Sequence, residues 1–223
     1  MRTFAILPVK RFDAAKQRLG SALSASARRA LVRAMVHDVL DALDRVRGIR
    51  RIVVVTAEEP VRALAAARGD VVVDDPAQAG QSEAATLGIA AAQRRGAERV
   101  LLVPGDCPAL WPQEVDGMLR RHDERPGVVV VPDRHGTGTN GLLLAPPDAI
   151  APAFGEGSRR RHLREALDAG FTPVVEPLVS LGLDVDTPDD LAALEAALAR
   201  IEERFALHTR AALEAVRRQP AVG

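Results

Sequence analysis

The chain reads as an α/β protein with three α/β/α layers around a mainly parallel mixed sheet, and three observations predict this. Short β-branched or aliphatic runs alternate with helical patterns over most of the length. The helical stretches carry apolar residues at spacings of three and four, the mark of one buried face. At 223 residues a single domain, residues 1–223, can bury a sizeable core. The predicted strands are Thr3 to Leu7, Arg51 to Thr56, Asp70 to Asp74, Arg99 to Pro104, Gly127 to Pro132, Gly141 to Ala145 and Thr172 to Pro177. The first helix, Ser24 to Val46, places Leu31, Met35, Val39, Leu43 and Val46 on one stripe behind a Ser24 or Ser26 cap. Further helices are predicted at Pro60 to Ala67, Glu83 to Arg95, Pro112 to His122, Arg159 to Ala169 and Pro188 to about Arg217, with Gln219 to Gly223 as a loose tail.

Composition narrows the function classes. Lysine plus arginine number 30 and aspartate plus glutamate 30, so there is no global field to attract nucleic acid or an anionic membrane. An anionic ligand must then be held by local charge. One cysteine, Cys107, excludes an intrachain disulfide framework and a thiolate zinc cluster, as expected in a reducing cytoplasm. No apolar stretch approaches about 20 residues, so a soluble, cytoplasmic protein is expected. The histidines have no paired ligand spacing that would suggest zinc.

The segment Leu183-Asp184-Val185-Asp186-Thr187-Pro188-Asp189-Asp190-Leu191 carries the strongest chemical signal. On an extended backbone, residues i and i+2 share a face, so Asp184 and Asp186 can converge on one cation. Thr187 is a plausible N-cap, with Pro188 at the first helical position and Asp190 three residues after the cap. A plain strand-to-helix turn with acids favouring the helix N-terminus is the competing reading. Asp106, at the end of another apolar run, adds a third acid, and three such carboxylates suit a hard cation such as Mg²⁺ held together with substrate phosphates.

Other loops suggest anion chemistry. After the first strand, Lys10, Arg11, Lys16 and Arg18 can collect a triphosphate, although such a run also suits a solvated face. There is no Gly-rich P-loop and no G-x-G-x-x-G. The loop Asp133 to Gly141 is small, polar and glycine-rich, fit for close approach to an oxyanion or simply for a hairpin. Phe154-Gly155-Glu156-Gly157-Ser158 precedes a helix beginning Arg159-Arg160-Arg161-His162; Ser158 is the expected N-cap, and free amides plus arginines would form an anion site. Cys107 reads as a buried small residue and Trp111 as a packing residue.

Taken together, Pro8-Val9-Lys10 with Ala15-Lys16-x-Arg18-Leu19, Gly105-Asp106-x-Pro108, Gly138-Thr139-Asn140, Phe154-Gly155-x-Gly157-Ser158 and Leu183-Asp184-x-Asp186-Thr187-Pro188 resemble one family. It is the 2-phospholactate or phosphoenolpyruvate guanylyltransferases of coenzyme F-420 biosynthesis, and the resemblance runs from about residue 3 to 195. It implies a Rossmann-like, nucleotide-diphospho-sugar transferase-like fold. It also implies that GTP and a small phosphorylated acid yield a guanylyl diphosphate-linked acid plus pyrophosphate. By the same resemblance, Asp106, Asp184 and Asp186 would hold Mg²⁺, and Thr139, Gly155 and Ser158 would bind the acid. Pro8, Lys10, Lys16, Arg18, Gly80 and Ser82 are the nucleotide-binding candidates, and Lys16 and Asp106 the catalytic ones. The chain departs from the family at Gly80-Gln81-Ser82-Glu83-Ala84, where a Gly-Leu-Asn-x-Ala segment is common, which bears on base choice. Competing readings are a 3-phosphoglycerate guanylyltransferase, a molybdopterin cytidylyltransferase, or a non-catalytic nucleotide-binding protein. A homodimer is compatible with the sequence.

Overall fold

The computed structural model describes residues 1–12, 16–123 and 126–218. Seven strands form one sheet: β1 (Thr3–Val9), β2 (Ile49–Thr56), β3 (Val71–Asp74), β4 (Arg99–Leu102), β5 (Gly127–Pro132), β6 (Thr139–Ala145) and β7 (Val174–Val175). Their order is β3-β2-β1-β4-β6-β5-β7. The first four are mutually parallel, β6 runs antiparallel to both β4 and β5, and β7 is parallel to β5. The helices are α1 (Ala25–Asp44), α2 (Glu59–Arg68), α3 (Gln81–Gln93), α4 (Pro112–Arg121), α5 (Ser158–Asp168), α6 (Pro188–Leu198) and α7 (Leu207–Arg218), with a short 3-10 helix at Gln17–Ser21.

Both faces of the sheet are covered, which is why its strands read as unbroken apolar runs. Along β1, Ala5, Leu7 and Val9 join the α1 stripe of Leu31, Met35, Val39 and Leu43 in one core. Phe4 and Ile6 point the other way, into a second core with Ala84, Ala85 and Ile89 of α3. Helix α3 can lie this close because position 88 is glycine: a Cβ there would stand 2.4 Å from Ile6 Cγ2. Ser24 caps α1 by accepting from Ala27 N–H, and Thr187 and Asp190 form the reciprocal cap of α6.

Several expectations need correction. The long helix expected from Pro188 to Arg217 is two helices. Ala206 adopts a left-handed backbone with φ 54°. The Arg210 guanidinium donates to the carbonyls of Leu198, Ile201 and Phe205 across the break. Asp38 of α1 accepts from the backbone N–H groups of His208 and Thr209, capping α7 from a neighbouring helix. The break is therefore made by tertiary partners, without a Gly or Pro to announce it. β7 shrinks to two residues at an exposed sheet edge, and β4 stops at Leu102. Leu183 to Asp186 belongs to no strand. Gln219 to Gly223, expected as a tail, lies outside the described residues, as do Asp13, Ala14 and Ala15.

Candidate active site

The chain leaves β1 for β2 and β3 on one side and returns to β4 on the other, so the strand order reverses between β1 and β4. Ligands of such sheets bind beyond the carboxyl ends of the strands at this switch point. A cavity of about 910 Å³ opens there, lined by the segments after β1 and β4, the β5–β6 hairpin, the start of α5 and the turn before α6. Pro8, Lys10, Lys16, Arg18, Asp106, Thr139, Gly155, Ser158, Asp184 and Asp186 all face it.

The acids meet at one end of this cavity. Lys16 has a left-handed backbone, φ 57°, and its ammonium reaches both Asp106 and, at 2.5 Å, Asp186. Its side chain is only 7% exposed, which removes the solvated-face reading for this residue. Burial opposes the Lys16 charge, but Asp106 and Asp186 outweigh it and raise its pKa above that of an ordinary lysine. Lys10 and Arg18 remain exposed at the cavity wall. Asp184 accepts from Asn140 Nδ2 at 3.0 Å, and Asn140 also donates to Gly182 O. Burial first, then the charge of Asp106, push Asp184 up to about 6. Although the segment pairs with no strand, Val185 is fully buried between the two cavity-lining acids, so the i, i+2 alternation survives.

This donor set fits a hard divalent cation. Two carboxylates, Asp106 and Asp186, share one ammonium, Asp184 lies close enough to feel both their charges, and Asp106 Oδ1 is buried with no hydrogen-bond partner. Among the described residues, the trio of metal-type donors lying within 4.8 Å of one another is instead Asp38, Asp41 and His208. That trio is explained structurally: Asp38 caps α7 and Asp41 pairs with Arg68.

The β5–β6 hairpin and the start of α5 add hydroxyls and backbone amides to the lining, together with Asp133 and Glu156. Gly155 and Gly157 take φ of 105° and 68°, which lets the loop turn tightly into α5. The N-cap of α5 is Gly157 and not Ser158, which is the first helical residue and is 1% exposed. The arginines do not form the anion site expected of them. Arg159 donates to Gly136 O, and Arg161 wraps the carbonyls of Ala153, Phe154 and Glu156, bracing the loop. Thr139 Oγ1 meets His162 Nδ1 at 3.0 Å.

Gly80 is the N-cap of α3, but Gln81, Ala84 and Asp75 line the cavity in this stretch. Ser82 Oγ accepts from Phe154 N–H, tying α3 to the loop before α5. Sequence reasoning missed Asn140, Asp75 and His162. His162 had one usable signal: it follows Ser158 by four residues, so both share a helix face. Cys107 is buried, donates to Leu181 O, and is held as a thiol by burial and neighbouring acids. Trp111, expected in packing, is 50% exposed.

Similarity to known proteins agrees with this geometry. A phosphoenolpyruvate guanylyltransferase of Conexibacter woesei is 48% identical over 214 residues, 96% of each chain. A 3-phospho-D-glycerate guanylyltransferase of Phenylobacterium zucineum is 39% identical, covering 83% of this chain and 86% of its own. A crystal structure from Desulfovibrio desulfuricans G20, described as a nucleotide-diphospho-sugar transferase, superposes with a TM-score of 0.75 at 19% identity, covering 97% and 98% of the two chains, which shows the shared α/β fold. The family model described as "Guanylyl transferase CofC like" matches residues 3–197. With nucleotidyltransferase architecture, a charged cluster at the switch point and relatives that are guanylyltransferases, the chain belongs to the CofC-like guanylyl transferase family.

Proposed function

We propose that this chain, as one nucleotidyltransferase domain in the cytoplasm, transfers GMP from GTP to phosphoenolpyruvate with release of pyrophosphate, in coenzyme F-420 biosynthesis. The carrying observation is a cavity lined by an acid and lysine cluster and, from the β5–β6 hairpin and the start of α5, by the hydroxyls of Thr139 and Ser158 together with Asp133 and Glu156. The relative at 48% identity supports phosphoenolpyruvate over 2-phospholactate as the acid. A second reading, 3-phosphoglycerate as acceptor, is favoured by the 39% relative.

In this reading, an oxygen of the acid's phosphate bonds to the α-phosphorus of GTP while the bond to the bridging oxygen of pyrophosphate breaks. No protein nucleophile is needed: Cys107 is buried and faces Leu181 O. The chain's task is positioning and charge neutralisation. Asp106, Asp184 and Asp186 would hold Mg²⁺, which when bound neutralises phosphate charge. Lys16, Lys10 and Arg18 stabilise departing pyrophosphate. Thr139, Ser158 and the amides at the start of α5 orient the acid. An assay crossing four NTPs with phosphoenolpyruvate, 2-phospholactate and 3-phosphoglycerate should give fastest pyrophosphate release for GTP with phosphoenolpyruvate. No release with any pair, despite Mg-GTP binding, would return the chain to a non-catalytic role.

Two further results are expected. Ser158→Ala and Thr139→Val should raise the KM for the acid more than that for GTP, since each hydrogen bond to a charged group contributes roughly 1.5–3 kcal/mol, or on the order of ten- to a hundred-fold. Equal losses for both substrates would contradict that role. Asp75 is buried, lines the cavity after β3, and accepts Gln78 N–H on Oδ1. Its remaining acceptor capacity suits the N1–H and N2–H₂ donors of guanine. Asp75→Asn should lower the kcat/KM ratio of GTP over ATP by roughly ten-fold or more; an unchanged ratio would move base reading elsewhere.

A further inference from the structure

His162 is wholly buried in α5, one turn beyond Ser158, and no step above uses it. Both of its ring nitrogens are engaged. Nε2 receives the backbone N–H of Ala153 at 2.8 Å, and Nδ1 lies 3.0 Å from Thr139 Oγ1. A backbone N–H can only donate, so Nε2 must be the nitrogen with the lone pair. Burial, with Arg161 adding to it, lowers the ring's pKa to about 4, so at neutral pH the single ring hydrogen sits on Nδ1. Nδ1–H therefore donates to the Thr139 oxygen. The hydroxyl's own hydrogen must then leave in another direction. Thr139 lines the cavity, and among the described residues no carbonyl or carboxylate takes that hydrogen.

We propose that His162 is a positioning residue that locks the Thr139 hydroxyl as a hydrogen-bond donor into the cavity, so that this point of the wall selects an oxyanion, a carboxylate or phosphoryl oxygen of the acid substrate. An acceptor satisfies the hydroxyl there, whereas an apolar group would leave a buried O–H without a partner. The same ring braces the loop that carries Gly155 and leads into Ser158. Phe154 meets it edge-on at 5.1 Å between centroids, and Ala153 N–H ends on it. One side chain thus fixes both the donor on β6 and the loop facing it. The inference rests on the acid-binding role proposed for Thr139.

The first test is the tautomer, read by long-range ¹H–¹⁵N NMR on histidine-labelled unsubstituted protein at neutral pH without substrate, with the His162 signal assigned by its through-space contacts to the Phe154 ring. A protonated Nδ1 and a bare Nε2 are expected. A hydrogen on Nε2, or on both nitrogens, overturns the proposal, and this holds even if no variant folds. The second test separates donation to Thr139 from simple support of Ala153. His162→Asn keeps an N–H near the Nδ1 position and loses the Nε2 acceptor, whereas His162→Gln can keep an acceptor near Nε2 and loses the Nδ1 donor. Gln should raise the KM for phosphoenolpyruvate roughly ten-fold, while Asn stays within about three-fold and the KM for GTP moves less than about two-fold in either. The reverse ranking, or equal loss for both substrates, makes His162 a support for Ala153 only and overturns the proposal. Failure of the unsubstituted chain to turn over any phosphorylated acid would strike the proposed function, whereas the tautomer decides the state of Thr139 independently of it.

Discussion

Replacing Asp186 with asparagine is expected to cut pyrophosphate release by on the order of a hundred- to a thousand-fold, because a metal-holding carboxylate supplies several kcal/mol of charge stabilisation and each 1.36 kcal/mol is tenfold in rate. The amide keeps the shape and loses the charge. The fold should survive, for two reasons visible in the structure. The Asp186 side chain is 51% exposed, so its pair with Lys16 is screened by solvent on one side. The bond that holds this turn to α6 runs from the Asp186 backbone N–H to Asp190 Oδ2, and asparagine retains it. Asp190 is in turn anchored by Thr187 and Arg134. Thermal unfolding and pyrophosphate release measured on the same preparation check both halves. Near-normal turnover would remove Asp186 from the proposed metal site.

The acid pair at 184 and 186 was legible because alternation is a property of extended backbone, and Val185 between them had to be buried whether or not a ladder formed. The cap at Thr187, Pro188 and Asp190 was legible for a similar reason: its partners lie within four residues. The alternation of strands and helices was legible from hydrophobic period up to α6, while the two cores to which β1 sends alternate residues emerge only in the structure. What sequence could not supply was made by distant partners. The break between α6 and α7 depends on Asp38, about 170 residues earlier in the chain. The fate of Arg159 and Arg161 was hidden because local charge says nothing about which loop carbonyls will come within reach. Asn140 and His162 look like ordinary polar residues until β6, α5 and the Asp184 turn are brought together. The basic loop after β1 divides in the same way: Lys16 is drawn into the acids, while Lys10 and Arg18 stay exposed.

That division sets the other large expected effect. On the role proposed for Lys16, Lys16→Met should weaken Mg-GTP binding and slow turnover by on the order of a hundred-fold, as the partner of Asp106 proposed to meet the phosphates is lost. Arg18→Met, at an exposed position, should cost less than a tenth of that. The stability consequence depends on the metal. Without a divalent cation, removing the ammonium leaves Asp106 and Asp186 without the cation they share and next to Asp184, whose charge already repels theirs, and one Asp106 oxygen lacks a partner. Like charges gathered in a partly buried space destabilise the native state, so in EDTA the variant should melt below the unsubstituted protein. Adding Mg²⁺ to the proposed site would restore a counter-charge to the same carboxylates, and a ligand that binds only the folded state raises stability by RT ln(1 + [L]/Kd). The Mg²⁺-induced rise in Tm should therefore be larger in Lys16→Met than in the parent, even though the variant is the poorer enzyme. Calorimetric titration of Mg-GTP and thermal scans with and without Mg²⁺ measure the two effects separately. Unchanged affinity and turnover would confine Lys16 to a structural ion pair, and an equal Mg²⁺ response in both proteins would place the cation away from Asp106 and Asp186.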